Sequence, residues 1–166
     1  MRFERNDYVF YASGGVCRVD DVCEEPFAGA PKGVLYYVLH TLAEPKQTIW
    51  NPVSNDKVYM RHVMTIKEAE DFFTTLPTLP VLEGDSAKTL REAYISSLKS
   101  GEPLAWGRVM RTFLNRKHLA EASLTRVTDA ERGFYESARR LLGTEIALAL
   151  EISQNEAESR MESALS

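Results

Sequence analysis

The feature that most constrains the fold is a change of period near Met64. From Asp7 to about Arg61, β-branched and aromatic residues come in short runs broken by turn signals, the pattern of a small antiparallel sheet. Candidate strands run over Tyr8 to Ala12, Val16 to Val22, Val34 to His40, Gln47 to Asn51 and Lys57 to Arg61. Ser13-Gly14-Gly15 supplies a tight turn between the first two, and Pro31-Lys32-Gly33 breaks the chain before the third. Asn51-Pro52 and Ser54-Asn55-Asp56 do the same before the fifth. Five short strands with short connections predict a partly closed barrel.

Past Met64 the apolar residues recur at three and four. Thr65 followed by Glu68 is a capping-box pattern opening a helix to about Thr75. Leu76 to Gly84, with two prolines and a glycine, reads as a linker between domains. Leu90, Ala93, Tyr94 and Leu98 then mark an amphipathic helix over 85–99 that ends at Ser100-Gly101. Pro103 suits the first turn of the next helix, whose stripe is Trp106, Val109, Met110, Phe113 and Leu114. Arg108, Arg111 and Arg116 lie largely off that stripe. Thr128 and Glu131 form another capping box before Phe134, Ala138, Leu141 and Leu142, and Gly143-Thr144 restarts a helix through Leu150. Residues 153–166, acidic and sparse in large apolar groups, are expected to fray. The expected organisation is α+β: a β unit over 1–75, a linker over 76–84, a helical domain over 85–152 and an acidic tail over 153–166.

No run approaches the roughly 18 apolar residues a membrane span needs, and the opening residues alternate charges where a secretory signal carries a long apolar region. A cytoplasmic protein is expected. The net charge of −4 argues against coating nucleic acid by charge alone. The distribution is uneven, however: residues 103–142 hold eight basic and four acidic side chains, so any phosphate contact belongs there.

Candidate chemistry is sparse. Cys17 and Cys23 match neither a redox pair nor a zinc pair, and His40, His62 and His118 have no partner at ligand spacing, so neither metal nor cofactor is expected. No phosphate-binding glycine loop, nucleophile elbow or metalloprotease helix is present. Ser13-Gly14-Gly15 lies between strands and reads as a turn rather than an anion cradle. Asp20-Asp21 and Glu24-Glu25 point alternately across a strand, a poor arrangement for paired acid and base. The chain reads as a non-enzyme.

The residues Phe3, Asp7, Tyr8-Val9-Phe10-Tyr11, Gly14-Gly15-Val16-Cys17-Arg18-Val19, Tyr36-Tyr37-Val38-Leu39, Thr48-Ile49-x-x-Pro52 and Arg61 form an ordered set. In this order they resemble the polymerase-interacting domain shared by the CarD and CdnL transcription regulators and the transcription-repair coupling translocase. The second half is similar to the same family at Ser100-Gly101-Glu102, at Thr128-x-x-Glu131 and over Leu142 to Leu150. The resemblance covers about residues 1–152, leaving out the tail.

The resemblance implies a Tudor-like five-stranded barrel that docks on the RNA polymerase β subunit, followed by a compact helical domain touching promoter DNA. It assigns Gln47, Thr48, Ile49, Trp50 and Asn51 to the polymerase contact through strand addition. Trp50 is then either an exposed anchor or a residue of the barrel core. For DNA, the basic residues Lys88, Arg91, Arg108, Arg111, Arg116 and Lys117 are the candidates for phosphate contact, weak and dependent on polymerase. Family members that stabilise open complexes carry a wedge tryptophan in the first helix after the linker, and that position falls at about Ala87 here. Trp106 lies on an apolar stripe and is expected in the core. The resemblance is read as a monomeric regulator of open-complex stability, the alternative being a protein-interaction module that never contacts DNA.

Overall fold

The computed structural model describes residues 2–12, 14–43, 46–124 and 126–166. The chain is α+β and divides after Val63 into a sheet unit and a helical unit that begins at Met64. Ser13 of the expected first turn lies outside the described residues.

The sheet unit holds β1 (Tyr8–Tyr11), β2 (Gly15–Glu24), β3 (Leu35–Thr41), β4 (Thr48–Pro52) and β5 (Met60–His62). All neighbours are antiparallel, in the order β4-β3-β2-β1-β5. Alternation puts one side chain in two on a common face, and the register sets Val9 opposite Cys17 and Val19 opposite Leu39. With Phe3, Tyr11, Tyr37 and Met60 these residues form the buried core. Each fully buried apolar side chain contributes about 1.5–3 kcal/mol to holding that face closed.

The expected barrel closure is corrected: β4 and β5 are the two edges of an open sheet. They approach through side chains, Asn51 Nδ2 donating to Met60 Sδ at 3.4 Å, and Arg2 donates to the Met60 carbonyl at 3.3 Å. Among the described residues no ladder joins them. Pro52 ends β4 without an N–H, and the chain turns where Asn55 Oδ1 accepts from Lys57 N at 3.1 Å. That turn also delays the fifth strand from the expected Lys57 start to Met60 and shortens it to three residues.

The helical unit comprises α1 (Ile66–Thr75), a single 3-10 turn (Leu76–Thr78), α2 (Ala87–Lys99), α3 (Pro103–Ala122), α4 (Asp129–Leu150) and α5 (Gln154–Leu165). Both expected capping boxes form, and Ser86 with Thr89 makes a third that opens α2. α2 closes at Ser100 and Gly101, the latter at φ +76°.

Three expectations about this half change. The segment 76–84 is not a linker between domains, because Leu76, Leu79 and Leu82 are buried and Leu82 N donates to Thr112 Oγ1 at 2.7 Å. Helix α1 belongs with the helices too: it packs on α4 and α5, and the Met64 amide leading into it donates to the buried Glu145 of α4 at 3.1 Å. No new helix starts at Gly143, since α4 runs through it unbroken. A Cβ there would stand 2.5 Å from Gln154 Nε2 and 2.9 Å from Glu158 Cγ, so the glycine admits α5 against α4. That approach bears on the third change: the acidic tail is helical, with Ala157 and Met161 fully buried and α5 packed on α4, α1 and the 3-10 turn.

Candidate functional site

Among the described residues strand β4 pairs only with β3, leaving its other edge without a strand partner. The Gln47 carbonyl and the Val53 amide both point to β3, toward Thr41 and Leu35. In an antiparallel ladder these groups alternate in direction, so the backbone N–H and C=O of Thr48 and Trp50 face outward. Their side chains share the solvent face, both exposed, whereas Ile49 is half-buried and Asn51 buried on the core face.

Trp50 is 44% exposed, which resolves the choice between anchor and core in favour of the surface. Phe27 supports it from the loop after β2, with ring centroids 5.2 Å apart, and Tyr36 meets the same Phe27 edge-on at 5.5 Å. An indole held this way loses little freedom on binding, because its rotamer is already restricted. Phe27 escaped the sequence reading, since a lone aromatic in a loop carries no period. Of the five candidates, Asn51 is not presented to a partner: it is 2% exposed, and its Oδ1 accepts from Asn55 Nδ2 at 2.9 Å. Gln47 is exposed, with its backbone engaged by Thr41.

The six basic candidates differ in what holds them. Arg108 donates from Nε to the Pro80 carbonyl at 3.1 Å and from its terminal nitrogen to Val81 at 3.3 Å, and Arg111 donates to the Leu79 carbonyl at 3.2 Å. These two satisfy backbone carbonyls of a segment without regular structure, a need no helix or strand partner meets. Arg116 Nε donates to Glu131 Oε1 at 2.5 Å. Lys88 and Arg91 are exposed on α2, and Lys117 is half-buried on α3. Ala87 opens α2 and is exposed, as a wedge position would be, with no bulk to insert. Trp106 is fully buried, with Nε1 donating to the Leu98 carbonyl at 3.2 Å, and belongs to the core as expected.

Residues 83–162 match the family model of the CarD C-terminal domain. The helical unit carries a CarD-type C-terminal domain. The match spans α2 through α5, so it takes in most of the acidic tail that the sequence resemblance left out, consistent with the packing of Ala157 and Met161. No curated protein matches the chain. Through this domain the chain is a CarD-like, transcription-associated protein. No helix among the described residues is long and apolar enough to cross a membrane, and no cluster of three or more potential metal ligands occurs among them.

Proposed function

We propose that this CarD-like protein binds the RNA polymerase β lobe through the outer edge of β4 and modulates the stability of promoter open complexes. It acts in the cytoplasm as a monomer and without cofactor, and it performs no catalysis of its own. The observation that carries the reading is the exposed Trp50 beside Thr48 on an unpaired edge, a geometry suited to strand addition with a side-chain anchor. Pro52 limits the augmented ladder to a few bonds, so affinity depends on the indole. The test is a pull-down with purified β lobe. Trp50→Ala weakens binding by about thirtyfold if the indole is a hot spot of roughly 2 kcal/mol, and Thr48→Arg weakens it by placing a charge on the augmented edge. Unchanged binding by folded variants moves the interface elsewhere.

The helical unit then meets promoter DNA weakly, by phosphate attraction at high effective concentration, with Lys88, Arg91 and Lys117 as the candidates that have no bond to a backbone carbonyl or a carboxylate among the described residues. A second reading, an interaction module that leaves DNA untouched, is favoured by the internal engagement of Arg108, Arg111 and Arg116 and by the small side chain at Ala87. Open-complex lifetime at two salt concentrations separates the two. The regulator reading expects an effect that fades with salt and falls in a Lys88, Arg91 and Lys117 triple alanine variant, while no effect of the wild type supports the module.

A further inference from the structure

We propose that the polymerase segment added to β4 carries an arginine whose guanidinium stacks on the Trp50 indole, drawn there by carboxylates of β2 and the loop after it. This rests on the reading of β4 as the polymerase contact and names the side chain that the edge selects. Trp50 lies opposite Val38 of β3, and Val38 lies opposite Asp21 of β2, so the three form one row across the sheet. Residues paired in an antiparallel ladder share a face, which puts Asp21 on the solvent face with Thr48 and Trp50. Asp21 and Trp50 are exposed, and Val38 between them is half-buried. The row presents an indole, an aliphatic floor and a carboxylate within two strand spacings, about 10 Å.

The charges beside that row call for a cation. Asp20, the extra residue of a bulge in β2, is balanced by Arg18 at 2.8 Å. Asp21 Oδ1 accepts from the Val22 amide at 2.8 Å, but Asp21, Glu24 and Glu25 are exposed and make no ion pair among the described residues. Glu25 stands two residues before Phe27, whose ring meets both Tyr36 and Trp50, so the loop that supports the indole brings negative charge with it. Lys46 and Lys57 lie beyond the two ends of β4, and Lys32 lies in the loop before β3. An indole face attracts a planar cation, and a stacked guanidinium keeps its in-plane N–H groups free to face a carboxylate. From a strand on the outer edge of β4, an arginine reaches over Trp50 and stops several ångströms short of Asp21. That gap is inside the roughly 8 Å Debye length of physiological salt, so the carboxylate acts through its field and not through a fixed ion pair.

The test measures binding of purified β lobe to the full chain at low and at high salt. Asp21→Asn keeps the shape and removes the charge, weakening binding by about threefold at low salt, and Asp21→Lys weakens it by about tenfold. Both differences shrink at high salt, because the attraction is screened. Trp50→Ala, which tests the contact itself, weakens binding at both salts. Weaker binding by Trp50→Ala with unchanged or tighter binding by both Asp21 variants overturns the arginine and leaves the contact in place. A deficit in the Asp21 variants that persists undiminished at high salt also overturns the arginine, since a purely structural role is not screened. Unchanged binding by all three variants overturns the arginine and the contact together.

Discussion

Arg116 on α3 donates to Glu131 in the first turn of α4 at 2.5 Å, and Glu131 in turn accepts from the Thr128 amide at 3.1 Å. One carboxylate thus closes the capping box and anchors two helices. Arg116→Ala leaves a carboxylate that is only 9% exposed without its cation, and lowers the stability of the helical unit by about 1–3 kcal/mol, less than for a deeply buried pair because Arg116 is 45% exposed. Urea unfolding measures this. Wild-type stability in the variant means that the pair holds nothing together.

The helical unit requires its first helix. A fragment of residues 64–166 unfolds cooperatively, because it keeps α1 on α4 and α5 and retains the Met64 to Glu145 bond. A fragment of 85–166 loses Phe72, Leu76, Leu79 and Leu82 from the core and exposes apolar surface. Thermal unfolding followed by circular dichroism compares the two, and equal cooperativity in the shorter fragment shows the boundary to lie after Gly84.

The two cysteines differ in reactivity. Burial pushes the Cys17 thiol from 9.0 up to about 11, whereas Cys23 is raised by partial desolvation and by Asp21 while remaining partly exposed. At pH 8 a disulfide reagent titrates Cys23 in the native protein and Cys17 only after unfolding. The raised thiol also gives a pH dependence of known sign. A group that holds its proton more tightly when folded contributes fully below its unfolded pKa and loses that contribution as pH rises through the folded value. The sheet unit therefore loses about 3 kcal/mol between pH 9 and pH 11, and Cys17→Ala flattens that decline. An equal decline in both proteins assigns it to other groups.

Two helical glycines respond oppositely to the same change. A Cβ on Gly107 meets Leu79 Cδ1 at 2.6 Å and both Leu76 Cδ1 and Phe72 Cζ at 3.1 Å, so Gly107→Ala destabilises by about 1–2 kcal/mol once the gain in helix propensity is offset. Gly133 has nothing within 4 Å of its added Cβ, and Gly133→Ala stabilises by about 0.5–1 kcal/mol. Denaturant midpoints that move in the same direction contradict the packing described for Gly107.

Periodicity and capping determined most of the element list from sequence alone. Tyr8 to Tyr11, Thr65 with Glu68 and Thr128 with Glu131 carry their instructions locally, in alternating side chains or in a hydroxyl and a carboxylate three residues apart. Residues assigned to the helix cores, Tyr94, Trp106 and Leu142 among them, are buried because a 3.6-residue repeat aligns them without reference to the rest of the chain.

What the tertiary structure decided are the relations that no local pattern encodes. The prolines of 76–84 look like a boundary until Arg108 and Arg111, some thirty residues on, are seen to hold the segment's carbonyls. Residues 153–166 look too polar to order, yet two apolar side chains suffice once Gly143 lets α5 approach. Charge counting marked Arg116 for phosphate, and only its distance to Glu131 reassigned it. The edge position of β4 likewise depends on which strands it pairs with, so the exposure of Trp50 follows from the sheet order and not from the residues beside it. In each case the deciding partner is distant in sequence, and its energy enters only after the chain has closed the loop between them.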